Sequence, residues 1–391
     1  MFHFFFLGVC NATSGLCICE PPWIGPECSA LDLLPVHPKT GYQNVTNGEP
    51  ISSWGGCVVG DDKGGYLMFF SEMLSHCGIG SWAYNSHVMM GYSNSAIGPY
   101  KAVKEIFPAF AHEPTVVRGP KGEYVVWFTR YQQVNLTSPC LGVCTNGSTI
   151  KSECAAHEPT AEAIMQTWMS WTMDPFGEWT EPVMLYNGSD GNNGDLFTGD
   201  TNLSPVIYPN GTLVGLWRGH GPDPASGQDT AIGGIFVVRA TNWKDPTTYD
   251  WGHVLLKNSI MKIDNPPFGA VIDDEEDPHV YLDAKGRLHA VVHLFGFGAH
   301  LASSDGGYNW RYYGPVYYGS DHSDPQLWTK SLWSENIEVA GGGQIDYHRR
   351  ERPHLIFDQK AQIVAYSVGI TLDSGPGDYC WTMFQPTVLF S

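Results

Sequence analysis

Positively charged residues are scarce in this sequence. The chain of 391 residues has 21 Lys and Arg against 40 Asp and Glu, a formal net charge of −19, and no basic run. Such a chain repels the phosphates of nucleic acids and anionic membrane surfaces, so we expect neither as a partner. Long apolar runs are also absent, because none reaches the roughly 18 to 20 residues that a membrane span needs. These absences favour a neutral or cationic ligand.

The composition is that of a globular protein with a large core. Hydrophobic residues make up 42% of the chain and aromatic residues 13%, which predicts one large all-β domain or two smaller domains. The opening MFHFFFLGVC is mostly apolar and has no basic n-region, so it fits either a weak signal peptide or a truncated start.

Cysteines and glycosylation sequons point to the secretory route. The chain has ten cysteines and seven Asn-x-Ser/Thr sequons, which begin at Asn11, Asn44, Asn135, Asn146, Asn187, Asn202 and Asn210. Several of these sequons lie in loops rich in Gly and Asn, where a glycan meets no steric obstacle. Together they predict an extracellular, secreted glycoprotein with disulfide bonds.

A short cysteine-rich segment comes first in the chain. Its spacing is Cys10-x6-Cys17-x-Cys19-x8-Cys28, with Gly25 three residues before the last cysteine. This spacing resembles the C-terminal half of an EGF-like module, and the resemblance implies a Cys19–Cys28 disulfide. A full module has two more cysteines upstream, so either the chain is truncated or Cys10 pairs with Cys17. We expect residues 1–34 to form this partial EGF-like segment, which needs such cross-links because it cannot bury a core.

A second cysteine cluster can be drawn as a zinc site. It reads Cys140-x3-Cys144-x9-Cys154-x2-His157, and zinc accepts this ligand set. In a secreted chain, however, two such cysteines more often form a loop disulfide. We therefore expect no metal site here.

The main feature of the sequence is a hairpin pattern that recurs five times. Each copy has a small or proline residue, a β-branched run, a turn and a second apolar run, and the copies are residues 54–73, 112–130, 202–219, 276–293 and 351–369. Four of the five turns contain glycine, as in Pro-Lys-Gly and Pro-Asn-Gly. An outer segment with its own turn and aromatic residue follows each hairpin. This recurrence predicts an all-β fold, a five-bladed β-propeller spanning residues 35–391.

In a propeller the innermost strand of each blade starts near the central axis, so the residues that open the five hairpins should converge. Four of the five openings carry polar or ionisable groups. As candidate catalytic residues we select Glu113, Glu276, Asp277 and Glu351. As candidate ligand-binding residues we select Trp54, His112, Asn202, His279, Arg352 and His354. The alternative is that these groups pair with one another and serve only the structure.

The pattern resembles that of the five-bladed propeller glycosidases of glycoside hydrolase family 43 and its relatives, over nearly all of the chain after residue 50. The segments EDPHV and SSDGGYNW carry much of the likeness. Transferred residue by residue, the family's base falls on Gly55, its pKa-modulating Asp on Thr115 and its general acid on Leu203. None of these three residues can do that chemistry. The resemblance to a sialidase is weaker. Ser303-x-Asp305-x-Gly307-x-x-Trp310 resembles the Asp-box turn of that class, but the turn is structural and the sequence has one clear copy of it.

These observations predict a secreted, carbohydrate-active protein, a divergent glycoside hydrolase for a neutral oligo- or polysaccharide. Hydrolysis needs a proton donor and a base on either side of the bond, and we expect Glu276 as the acid with Asp277 or Glu113 as the base. The alternative is a glycan-binding or adhesive propeller without catalysis, and an extracellular interaction platform is a third reading. No cofactor is expected, although a structural calcium ion would be consistent with the acidic residues that we expect to converge at the central axis.

Overall fold

The fold is described from a computed structural model of the chain. It describes residues 2–5, 7–11, 17–25, 28–37, 40–42, 44–46, 49–131, 144–145, 149–150, 165–187, 202–222, 231–251, 263–264, 275–294, 297–315, 335–347, 349–371 and 379–390. Among these residues, no helix has both the length and the apolar character that crossing a membrane requires. The zinc-like cysteine cluster lies outside them, apart from Cys144.

The described residues form a nearly all-β propeller with five blades, which confirms the predicted fold. Within each blade the strands are antiparallel and follow one another from the axis outward. Blade I has strands Ser53–Gly60, Tyr66–Met73, Ser86–Ser93 and Lys101–Phe107. Blade II has His112–Arg118, Tyr124–Tyr131, Met165–Thr172 and Val183–Asn187. Blade III has Ser204–Ile207, Leu213–Pro222, Ala231–Ala240 and Tyr249–Asp250.

Blades IV and V complete the ring. Blade IV has strands Glu275–Leu282, Leu288–Leu294, Phe297–Ser303 and Trp310–Pro315, with Ile263–Asp264 added in parallel at its edge. Blade V has Arg349–Phe357, Ile363–Thr371 and Cys380–Pro386. Each inner strand contacts the inner strands of both neighbouring blades, and that of blade V contacts that of blade I. The five hairpins predicted from the sequence are therefore the inner two strands of the five blades.

The remaining elements are short. The N-terminal residues form a three-stranded sheet and a small hairpin, with strands Phe2–Phe5, Gly8–Asn11, Cys17–Cys19, Trp23–Ile24 and Ala30–Leu31. Three further strand pairs are Asn44–Thr46 with Glu49–Ile51, Cys144–Thr145 with Thr149–Ile150, and Glu335–Glu338 with Gln344–Tyr347. The helical turns are Leu74–His76, Ile79–Ser81, Trp82–Asn85 and Pro246–Thr248. A disulfide joins Cys19 to Cys28, as the EGF-like resemblance implies, with the Cα atoms 5.3 Å apart.

Apolar side chains between neighbouring blades form the core. Between blades I and II, for example, Phe107 stacks on Phe128 with ring centroids 4.1 Å apart, and both rings are buried. Burying such a side chain contributes about 1.5 to 3 kcal/mol relative to leaving it exposed. Because each blade covers the apolar face of the next, no blade could bury its own core alone.

The start of the chain closes the ring on blade V. Leu33 forms an antiparallel bridge with Thr387. Beside it, the Leu34 N–H donates to the Pro386 carbonyl at 2.8 Å, and the Val388 N–H donates to the Asp32 carbonyl at 3.0 Å. Residues 32–34 therefore extend the three-stranded sheet of blade V on its outer side.

Candidate functional site

Every blade opens with one residue in the left-handed backbone region. These residues are Gly55 (φ 64°), Glu113 (φ 50°), Asn202 (φ 43°), Asp277 (φ 56°) and Arg352 (φ 58°). Four of the five inner strands also carry a register shift at this point, as a β-bulge does. A non-glycine residue rarely adopts this conformation, and each costs on the order of 1 to 3 kcal/mol. The fivefold recurrence places the five residues at equivalent positions around the axis, and we call them the axial ring.

The side chain of Arg352 ties most of the axial ring together. Its guanidinium Nη1 lies 3.3 Å from Asp277 Oδ1, and its backbone N–H donates to Asp277 Oδ2 at 3.1 Å. Its Nη2 donates to the Glu113 carbonyl at 3.1 Å and to Thr115 Oγ1 at 3.2 Å. On the other side, Asn202 Nδ2 donates to Asp277 Oδ1 at 2.7 Å. Arg352 and Asn202 are each only 1% exposed, so this network is a buried charge pair with supporting hydrogen bonds.

Glu276 forms a second ionic group next to the axial ring. Its carboxylate lies 2.7 Å from Arg218 Nη1 and 3.1 Å from His293 Nδ1. Burial alone would raise the pKa of Glu276, but the hydrogen bond from His293 and the charges of His293 and Arg218 outweigh it and lower that pKa to about 2. The Glu276 side chain is 20% exposed, against 4% for Asp277. Glu276 is thus an ionised carboxylate that solvent can reach.

His293 holds the matching proton. Burial alone would lower its pKa, but the hydrogen bond to Glu276 and the charges of Glu351 and Glu276 raise the pKa to about 9. His293 is therefore protonated at neutral pH, and Glu351 lies close enough to act on it. Arg349 faces the Glu351 carboxylate at 4.0 Å.

Glu276, Asp277 and His293 offer ligand atoms within 4.8 Å of one another. Calcium prefers a shell of oxygen ligands, whereas this group contributes an imidazole that is already protonated. The guanidinium groups of Arg218 and Arg352 also bind the same two carboxylates. The residues present therefore do not fit a calcium site.

His112 and Trp54 lie at the openings of blades II and I. His112 accepts or donates a hydrogen bond at Nδ1 with Ser86 Oγ at 2.7 Å and stacks on Trp82 at 4.8 Å. Burial and the charge of Arg352 hold the pKa of His112 well below its usual range. Trp54 is 2% exposed and packs against Gly369, where a Cβ atom would lie 2.6 Å from the indole. Trp54 is thus a core side chain, whereas Trp82 is partly exposed.

His279 and His354 join the inner strands of blades IV and V. Their Nδ1 atoms are 2.9 Å apart, so one ring donates and the other accepts. Burial and the charge of Arg352 lower the pKa of His279 to about 3, and burial, His279 and Arg352 hold the pKa of His354 well below its usual range. Both imidazoles are neutral and buried, and they pack between blades.

Only some of the residues selected from the sequence therefore lie together in one network. Glu113, Asn202, Asp277 and Arg352 form one network, and Glu276 and Glu351 flank it. Trp54, His279 and His354 serve the packing between blades. Sequence reasoning missed Arg218, His293 and Trp82. The first two sit on second strands, at places that only the register between strands reveals, and Trp82 begins the short helical turn Trp82–Asn85.

No known protein-family profile matches this sequence, and no curated protein matches it. Solved structures do. A family 117 glycoside hydrolase, Zg3597, produced by the marine bacterium Zobellia galactanivorans, is 10% identical with a TM-score of 0.50, and the match covers 92% of this chain and 89% of that one. This likeness supports the five-bladed propeller fold.

Two further structures are similar. A protein of unknown function from Dyadobacter fermentans is 11% identical with a TM-score of 0.50, over 91% of this chain and 98% of that one. The GH43 protein BlXynB from Bacillus licheniformis is 11% identical with a TM-score of 0.47, over 90% of this chain and 54% of that one. At these identities the likeness describes the fold alone.

The three positions that carry the usual glycosidase carboxylates are filled differently here. A Cβ atom at Gly55 would lie 3.0 Å from Cγ of Arg352, so the arginine side chain crosses this position. Thr115 is 1% exposed and accepts a hydrogen bond from Arg352. Leu203 is 3% exposed and belongs to the core between blades II and III. Two of the three positions therefore meet the side chain of Arg352.

Proposed function

We propose that this protein is a divergent glycoside hydrolase that acts on a neutral oligo- or polysaccharide at the axis of the propeller. The observation that carries the proposal is Glu276, an ionised carboxylate at a blade opening whose side chain is 20% exposed. The other candidate carboxylates are less accessible, with side chains 10% exposed or less for Asp277, Glu113 and Glu351. The fold shared with a family 117 glycoside hydrolase supports the same conclusion.

The roles of the carboxylates follow from their partners. With a pKa of about 2, Glu276 cannot hold a proton at neutral pH, so we assign it as the base or nucleophile rather than the acid expected from the sequence. Asp277 accepts three hydrogen bonds from Arg352 and Asn202, and we assign it to this hydrogen-bonded part of the axial ring, which we call the axial network. The proton donor then comes from another blade, from Glu351 or Glu113.

Release of reducing ends tests this proposal. The purified protein is incubated with arabinan, xylan, galactan and fructan oligomers, beside Glu276→Gln, Glu351→Gln and Glu113→Gln variants. Loss of the base should lower kcat by roughly 100-fold to 10,000-fold. Glu181→Gln, at an exposed glutamate of blade II, is the control and should leave turnover unchanged. Turnover on no substrate, or equal turnover in all variants, would contradict the assignment.

A second function, glycan binding without catalysis, is favoured by the axial network itself. Arg352 neutralises the charge of Asp277, and Asn202 donates a hydrogen bond to it, and a propeller that only binds sugars has no need for a reactive pair. Trp82 is partly exposed above His112, and its ring could stack on the apolar face of a sugar. Saturable binding that Trp82→Ala abolishes and Glu276→Gln leaves intact, without turnover, would establish this function instead.

We infer further that the protein works outside the cell. The Cys19–Cys28 disulfide supports this location, because such bonds persist in oxidising compartments. Secretion of the full chain from a eukaryotic host, with glycans attached at exposed sequons, tests it. A chain that is retained and unglycosylated would argue against it.

A further inference from the structure

The N-terminal segment, defined here as residues 17–25 and 28–31, is held on blade IV by a column of ring side chains. Trp23 of this segment is 4% exposed and stacks on His300, with ring centroids 4.5 Å apart and planes inclined by 19°. His300 meets His289 edge to edge: their ring centroids are 5.3 Å apart, their planes are inclined by 9°, and the facing nitrogens are 3.1 Å apart. His289 stacks on Tyr281 of the inner strand at 5.2 Å. One face of His300 is thus covered by the segment, and its Nε2 edge is covered by His289 of the blade.

A hydrogen bond joins the imidazoles of His289 and His300. His289 Nδ1 and His300 Nε2 are 3.1 Å apart, so one nitrogen donates and the other accepts, and the two rings cannot both be protonated in this geometry. His289 is 0% exposed and His300 is 1% exposed. Protonation of either ring therefore puts a charge into a buried site.

The charged groups around the column do not favour a charged His300. On the hairpin of blade IV, Asp283 lies 3.4 Å from His289 Nε2, but it also binds Arg287. On the outer strand, the ring centroid of Tyr313 lies 5.8 Å from that of His300, and the Arg311 guanidinium lies over the Tyr313 ring. The segment itself adds the exposed ion pair between Glu20 and Lys285.

We propose that this contact is an acid-sensitive latch: the N-terminal segment stays docked on blade IV at neutral pH and is released, with the propeller still folded, as the pH falls below about 6.5. Undocking removes Trp23 from His300 and exposes that imidazole to water. Burial holds the pKa of His300 well below its usual range in the docked form, and burial also lowers the pKa of His289. The undocked form therefore binds protons more readily than the docked form.

The sign and size of the pH effect on docking follow from the linkage between docking and proton binding. The docked pKa is depressed, so docking is fully stable above the ordinary pKa of about 6.5 and weakens below it. For one imidazole, the docking equilibrium falls by about tenfold per pH unit and by about 30-fold between pH 7.5 and pH 5.

Amide hydrogen exchange of the full chain tests the latch. After correction for the intrinsic exchange rate, protection of residues 17–25 should fall by about 30-fold from pH 7.5 to pH 5, while strand Tyr66–Met73, which exchanges only through global unfolding, should stay more protected than the segment. Trp23→Ala supplies the exchange level of the undocked segment. His300→Phe, which keeps a ring in the stack without a titrating group, should abolish the pH dependence. His37→Phe, at an exposed histidine, should preserve it.

Two outcomes would overturn the proposal. One is equal protection of the segment at both pH values. The other is loss of protection in strand Leu288–Leu294 in parallel with the segment, which would mean that the blade itself opens. If His300→Phe fails to fold, nuclear magnetic resonance of labelled imidazoles decides the point. His300 must then remain neutral for as long as the segment stays docked, and a docked, protonated His300 would refute the latch.

Discussion

Replacing Arg352 by Met should destabilise the propeller strongly, because this side chain is the cation of a buried pair. Its side chain is fully buried, and it lies 3.3 Å from Asp277 and 4.0 Å from Glu113. Breaking a buried ion pair by removing one partner costs about 3 to 5 kcal/mol, since the other charge is left buried without compensation. Single domains have unfolding free energies of about 5 to 15 kcal/mol. The substitution would thus remove a large share of the stability.

Chemical denaturation monitored by tryptophan fluorescence measures this loss as a drop in the midpoint at constant slope. The double variant Arg352→Met with Asp277→Asn removes both charges and should regain at least half of the lost free energy. Arg118→Met is the matched control, because Arg118 forms a partly exposed pair with Asp62 at 2.9 Å; it should cost less than about 1 kcal/mol. A loss for Arg352→Met as small as that of the control would refute the assignment of Arg352 as the tie of the axial ring.

Three further predictions concern the same region and its surroundings. Gly55→Asp places a carboxylate where the related glycosidases have their base. It should lower the free energy of unfolding by about 1 to 3 kcal/mol without improving turnover, because its Cβ would meet Arg352. A variant that is stable and turns over faster would contradict this prediction. Glycopeptide mass spectrometry should find Asn210 occupied and Asn202 unmodified, because Asn210 is exposed and Asn202 is 1% exposed; a glycan on Asn202 in folded protein would contradict the axial network. The free energy of unfolding should fall on acidification below about pH 6.5, by up to about 2 kcal/mol at pH 5 for each imidazole with a depressed pKa. These imidazoles are His112, His279, His300 and His354, and the raised pKa of His293 offsets part of the loss. A urea midpoint that is flat or rises between pH 7.5 and pH 5 would contradict this prediction.

The fold could be predicted from the sequence because its information is local. Each hairpin carries its own turn, as Pro-Asn-Gly does before strand Leu213–Pro222, and five such units imply a ring. The Cys19–Cys28 disulfide is implied by the resemblance of the cysteine pattern to an EGF-like module, and the structure contains it.

The chemistry of the axis could not be predicted, because its partners are distant in the chain. Asp277 and Arg352 are 75 residues apart, and Arg352 and Glu113 are 239 residues apart. Whether a carboxylate is free or neutralised depends on which blade faces it across the axis. The same reasoning explains why the sequence suggested Glu276 as an acid: its low pKa depends on Arg218 and His293, which belong to other strands.

The bridge between Leu33 and Thr387 has a consequence for how this protein is made. Contacts at such a long separation in sequence form late, because the loop between them must be closed first. A ribosome adds about 5 to 20 residues per second, so blade I must wait on the order of tens of seconds before blade V exists to cover its flank. During that interval the growing chain is an open arc with two uncovered apolar faces. We expect chaperone dependence to be greatest in this window, and expression yield to be limited by aggregation of the unclosed arc.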